Sequence, residues 1–203
     1  MGLSVGLVVV AAASSVAGSQ WAHYRSLREL AQTQQTLRRV SDAIARDLRR
    51  SGLWHGAAQA DAGLRNPYAA LQWSGITSAP TASALSFSAA HPKRADDNLV
   101  NDDERMGFRL RQGVIEMQVG LNNWQALNDP SAVRFVQLAF TPMVVTQTLA
   151  CNDALNLERP RLLKHLVHLE LQAHPSARPA AAQRWATWVR VRHDTRVGAC
   201  ATS

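Results

Sequence analysis

No charged side chain occurs between Met1 and Ala22, and no proline occurs before Pro67, so the first fifty residues are free to form one uninterrupted helix. Its two halves make different demands. Residues 2–20 (GLSVGLVVVAAASSVAGSQ) are uncharged, and at about 1.5 Å per residue a helix from Met1 to Ala22 reaches roughly 33 Å, the thickness of a bilayer core. Many of its residues are small. Gly2, Gly6, Ala13 and Gly18 in particular let helix backbones approach closely, which favours packing against other helices. A plain single-span anchor and a secretory signal peptide are the alternatives. A signal peptide requires a basic segment ahead of the apolar run, which is not present in this sequence.

From Trp21 the pattern becomes helically periodic. Leu27, Leu30, Leu37, Val40, Ile44 and Leu48 recur at steps of three, four or seven and form one apolar stripe, whereas Arg28, Arg39, Asp42, Arg46 and Arg49 lie mostly off it. Such a stripe requires a partner surface. Ser51-Gly52 closes the helix, because glycine readily takes the left-handed conformation of a last turn.

The rest of the chain reads as strands. Residues 53–81 form an irregular, alanine- and glycine-rich connection broken by Pro67 and Pro80. Strands are predicted at 84–88, 106–111, 114–119, 124–127, 133–141, 163–172 and 184–194, with a turn at Gln112-Gly113 and with Pro142 ending the fifth. Residues 91–105 (HPKRADDNLVNDDER) form a charged, solvated loop. Its carboxylates lack the alternation and central glycine of a calcium loop. Antiparallel strands packed on the second half of a long helix give an α+β fold. The domain organisation is therefore 1–22 as a hydrophobic helix, 23–52 as an amphipathic stem, and 53–203 as a strand-rich head.

Chemistry is sparse. His165 and His168 fall on opposite faces of a strand and do not suit a shared metal. No nucleophile elbow, zinc-helix, phosphate-loop or dinucleotide motif occurs, so the reading is of a protein without catalysis, cofactor or metal. Cys151 and Cys200 would close a loop of about fifty residues, worth roughly 4 kcal/mol in the chain-entropy model. Two unpaired thiols are the alternative. The formal charge of +7, with 20 arginines against 2 lysines, would suit DNA or anionic surfaces. Arg38-Arg39 and Arg49-Arg50, the densest pairs, sit on a stem that has another use.

The uncharged helix, the amphipathic stem and the strand-rich head together resemble type IV pilin-like proteins. Within them the chain resembles PilW-like minor pilins and the related GspJ-like minor pseudopilins of type II secretion. The residues that carry this are the stem end 45–54 (ARDLRRSGLW), Gly107-Phe108-Arg109-Leu110 before Gly113-Val114-Ile115-Glu116, Trp124-Gln125-Ala126-Leu127 with the strand after it, and the closing 189–194 (VRVRHD). The family's basic leader, its cleavage glycine, the methylated phenylalanine and the following glutamate are not in this sequence, so the natural start is expected upstream of Met1. The resemblance implies a structural subunit that primes or initiates a type IV pilus, partnered by other minor pilins, the major pilin and the inner-membrane assembly machinery. It also implies a single-pass inner-membrane protein with a periplasmic head that passes into the filament, and a Cys151–Cys200 disulfide. A type II secretion pseudopilin is the nearest alternative, and a DNA- or anion-binding module displayed on a pilus is the alternative of another kind.

Overall fold

The computed structural model describes residues 2–56, 65–69, 71–78, 81–91, 93–151, 159–192 and 194–198, with side chains from Gln20 onward except at positions 22 and 76–78. Helix α1 runs Gly2–Arg50 and ends at Gly52, whose φ of 73° is left-handed and suits a residue without a Cβ. The strands are β1 (Gln72–Ser78), β2 (Thr81–Ser88), β3 (Arg105–Arg111), β4 (Val114–Val119), β5 (Trp124–Ala126), β6 (Val133–Thr148), β7 (Arg161–Pro175), β8 (Gln183–Arg190) and β9 (Thr195–Val197). They form one nine-stranded sheet in the order β5-β4-β3-β2-β6-β7-β8, with β1 also paired to β2 and β9 to β7. Every pairing is antiparallel.

Alternation along the strands turns one face inward. Leu85, Phe87, Phe108, Ile115, Leu138, Phe140, Val167, Leu169, Leu171 and Val189 are buried there, together with Leu37, Val40, Ile44 and Leu48 of α1. A second, smaller cluster of Trp54, Tyr68 and Ala90 holds the chain that leaves the helix.

This architecture corrects the expected α+β fold organised on a long helix, apolar and then amphipathic. The fold is mostly β, dominated by the nine-stranded sheet, and α1 packs on it through its last turns. No helix among the described residues is long and apolar enough to cross a membrane. Where its side chains are described, from Gln20 to Arg50, α1 carries Arg25, Arg28, Glu29, Arg38, Arg39, Asp42, Arg46 and Asp47 at intervals too short to leave an apolar span. The single-pass inner-membrane placement is accordingly not supported. Gly2, Gly6, Ala13 and Gly18 belong to the stretch whose side chains lie outside those described.

Two further corrections concern strands. β1 occupies residues read as irregular connection, and β6 continues six residues past Pro142. Proline is tolerated in a strand where its missing N–H faces an unpaired edge. β6 pairs with β7 without a break from Gln137↔Gln172 to Thr148↔Arg161, so the edge lacking that donor is the one away from β7.

Candidate functional site

The junction between α1 and the sheet is built from small and apolar residues. Thr33, Ser41 and Ala45 are buried beside Leu37, Val40, Ile44 and Leu48. Thr33 satisfies its hydroxyl by donating to the Glu29 carbonyl, 2.9 Å away, so it can sit against the sheet without an unpaired group. Periodicity alone does not select these small residues, because large side chains define the stripe. Polar contacts fix the helix on β8. The Arg38 guanidinium lies 5.3 Å from the Trp185 ring centre, and Gln183 Nε2 donates to the Leu30 carbonyl at 3.3 Å. Beyond β7, Arg178 pairs with Glu29 at 3.4 Å and donates to the Ser26 hydroxyl.

Before this point the described side chains of the helix are exposed. Trp21, Tyr24 and Leu27 are 65, 62 and 66 % exposed and follow one another at steps of three. Of the six stem residues singled out by periodicity, Leu37, Val40, Ile44 and Leu48 meet the core, Leu30 is partly covered and Leu27 stands in solvent. The stripe is continuous in sequence, but the sheet ends before it does.

A second constellation lies where the chain leaves the helix. The Tyr68 hydroxyl is within hydrogen-bond distance of Asp96 Oδ1 (3.0 Å), the Leu99 carbonyl (3.1 Å) and Glu104 Oε2 (3.3 Å). Burial, the hydrogen bond to Asp96 and the neighbouring carboxylates raise its pKa well above the ordinary phenol value. Glu104 is 3 % exposed, yet its oxygens accept from His91 N at 3.0 Å and Asn101 N at 2.9 Å, and Arg94 stands 3.5 Å away. Trp54 Nε1 donates to Asn98 Oδ1 at 2.7 Å. The stretch expected to be a solvated acidic loop is thus a clamp organised around one buried carboxylate. Tyr68 stands 36 residues from Glu104 in sequence and Arg94 lies in the same loop, and no local pattern announces that the two converge on it.

Between the end of α1 and β4, a cleft of about 410 Å³ is lined by Arg46, Asp47, Arg50, His91, Asp103 and Met117 among others. Burial pushes the Asp47 carboxyl above its ordinary range, against the opposing pull of Arg46 and Arg50. On the other face of the sheet, Arg109 pairs with Glu116 at 2.6 Å and lies 3.8 Å from the Trp124 ring centre. His168 stacks on Trp188, with ring centres 4.4 Å apart, while His165 faces Thr195 at 3.5 Å. Among the described residues no group of three or more His, Cys, Asp or Glu side chains is placed to hold a metal ion. Cys151 lies three residues past the end of β6, and Cys200 lies outside the described residues. The Asp96, Glu104 and Glu116 carboxylates accept hydrogen bonds that hold neighbouring segments together.

No curated protein and no solved structure matches the chain. The profile of one family, described as prepilin peptidase-dependent protein B, matches residues 26–191. That span begins just before the stem meets the sheet and ends after β8. It covers most of the chain, which therefore belongs to the prepilin peptidase-dependent protein B family, a family associated with type IV pilus and secretion systems.

Proposed function

We propose that the chain is a structural, minor pilin-like subunit of a prepilin peptidase-dependent filament system, acting by assembly with other subunits and not by catalysis. The observation that carries this reading is the family match over residues 26–191, joined to a helix whose last turns are locked on the sheet while Trp21, Tyr24 and Leu27 remain exposed. An exposed aromatic and leucine row on a helix fits docking against another helix, because apolar side chains at such spacing share one face. PilW-like and GspJ-like roles are the two finer forms of the proposal. The partners would be other minor subunits, the major subunit and the assembly machinery. The DNA-binding reading has less support, since Arg38 of the Arg38-Arg39 pair is engaged over Trp185.

The test is deletion of the gene, with surface filaments counted by electron microscopy and secreted protein assayed in parallel. Loss of filaments supports the minor pilin form. Loss of secretion with filaments intact supports the pseudopilin form, and no change in either would overturn the proposal. Complementation with Trp21→Ala/Tyr24→Ala should fail to restore the lost activity at normal protein levels.

A further inference from the structure

Residues 141–150 (TPMVVTQTLA) carry no charge, and the strand residues 143–148 are all exposed. A strand with one buried face hides every second residue, so six consecutive exposed residues mean that both faces and an edge are open. β7 occupies one edge throughout, from Thr141↔His168 to Thr148↔Arg161. On the other edge β2 reaches β6 only at Ala82↔Phe140, and no strand among the described residues pairs with it further on. Met143, Val144 and Val145 are 39, 51 and 41 % exposed.

The direction of the free backbone groups can be assigned. Leu149 N donates to the Pro160 carbonyl at 2.8 Å, so the odd-numbered residues of this segment turn their backbone groups toward β7. Alternation turns the N–H and C=O groups of Val144, Thr146 and Thr148 to the open edge, with Pro142, which has no N–H, at its start. Folded proteins usually blunt such an edge with lysine, a bulge or a covering loop. Among the described residues Pro142 alone interrupts it.

Charge selects the occupant. Arg161 and Lys164 lie on β7, with Lys164 directly across from Val145 and Arg161 from Thr148, Arg159 lies two residues before β7, and Arg196 lies on β9 along the far side of β7. No described residue of 141–151, 159–168 or 195–198 is acidic, and none of these four cations forms an ion pair among the described residues. A second copy would bring the same cations and another +7 chain against them, which opposes self-pairing.

We propose that the open edge of β6, residues 142–148, receives an extended segment of a partner protein in which acidic residues flank an apolar, β-branched run, and that this segment adds to the sheet as a further strand. Val144, Thr146 and Thr148 supply the ladder, the exposed Met143, Val144 and Val145 pack its apolar residues, and Lys164 and Arg161 meet its carboxylates across the ~10 Å between β7 and an added strand. The inference does not rest on the filament assignment, and the two fail separately.

The experiment uses the full chain and a fluorescein-labelled peptide, Glu-Thr-Val-Thr-Val-Thr-Val-Glu, with binding read by fluorescence anisotropy. Saturable binding is expected, weakened by salt and at least about tenfold weaker for a twin peptide with lysine at both ends. Val144→Pro removes an edge donor without touching the β7 ladder. It should weaken binding at least about tenfold while the far-ultraviolet spectrum and unfolding midpoint stay unchanged. N-methylation of alternate peptide amides should also abolish binding, and this arm leaves the protein intact. No saturable binding of the acidic peptide, equal binding of its lysine twin, or unchanged binding by Val144→Pro would each overturn the proposal. A concentration-dependent dimer in sedimentation that Val144→Pro dissolves would place a second copy on the edge and overturn it too.

Discussion

Ile44 and Leu27 belong to the same apolar stripe of α1, yet Ile44 is 0 % exposed and Leu27 is 66 % exposed. Truncating each to alanine therefore measures where the sheet ends. Ile44→Ala removes a buried branched side chain from between α1 and the sheet core, a change that costs about 2–5 kcal/mol through lost transfer energy and the cavity left behind. Alanine's better helix propensity returns less than about 0.7 kcal/mol, so packing decides the sign. Leu27→Ala removes a side chain from solvent and should fall within about 0.5 kcal/mol of wild type. With a urea slope of about 2 kcal/mol/M, a loss of about 3 kcal/mol lowers the unfolding midpoint by about 1.5 M, against about 0.25 M at most for Leu27→Ala. Tryptophan fluorescence and far-ultraviolet circular dichroism should give coincident transitions in both variants. Equal midpoint shifts would refute the reasoning, because they would mean that the stripe, and not its contact with the sheet, sets stability.

Acid should loosen the clamp around Tyr68. Burial pushes the Asp96 carboxyl up, but hydrogen bonds from Asn98 N, His55 N and the Tyr68 hydroxyl outweigh it, leaving the pKa below its ordinary value. A carboxyl with a lowered folded pKa contributes stability above its unfolded pKa of about 3.9 and loses it as pH falls through the folded value. Asp96→Asn should flatten that part of the pH-stability curve, and an unchanged acid limb would count against the clamp. Gly107→Ala should cost about 1–3 kcal/mol in urea unfolding, because its Cβ would stand 2.9 Å from the Leu85 carbonyl oxygen, which is held in the sheet. A neutral result would show that the strands part easily there. We also propose that Cys151 pairs with Cys200. β6 and β9 flank the start of β7 at Thr148↔Arg161 and Arg161↔Val197, which brings both approaches to one end of the sheet. Cys151→Ser should then lower stability by about 4 kcal/mol under oxidising conditions and leave the reduced protein unchanged, whereas an equal loss in both would exclude the bridge.

The sequence was most informative where local chemistry and final environment agree. The β3–β4 hairpin is legible because Gly113 readily takes positive φ in a two-residue turn, and Gln112 and Gly113 adopt it at 52° and 85°. Leu37, Val40, Ile44 and Leu48 were legible because period alone puts them on one face. Leu27 satisfies the same period, and only the extent of the sheet excludes it. β1 was missed because Gly75, with φ of 65°, and small polar neighbours read as a connection, while its pairing with β2 supplies the order. Pro142 misled in the opposite direction. A proline stops a central strand, and whether an edge is central depends on a partner strand far away in sequence. Glu104 was hidden for a related reason, since a glutamate within an acidic run looks solvated until Tyr68 and Arg94 are brought against it.

The free part of α1 and the open edge of β6 leave the sheet at opposite ends of β7. Arg178, just after Pro175, holds Ser26 and Glu29, whereas the exposed arm lies against residues 161–166. The twelve residue steps from Leu163 to Pro175 span about 40 Å of strand. Sites that far apart with no shared partners should act independently, within about 0.5 kcal/mol. The double variant Leu27→Ala/Val144→Pro should therefore unfold in urea with the midpoint of Leu27→Ala alone. Its native fraction should bind the acidic peptide no better and no worse than Val144→Pro does. A coupling above about 1 kcal/mol in either measurement would mean that the helix and the arm report on each other through the sheet. The head would then be a relay between two partners, and the picture of two independent docking surfaces would fail.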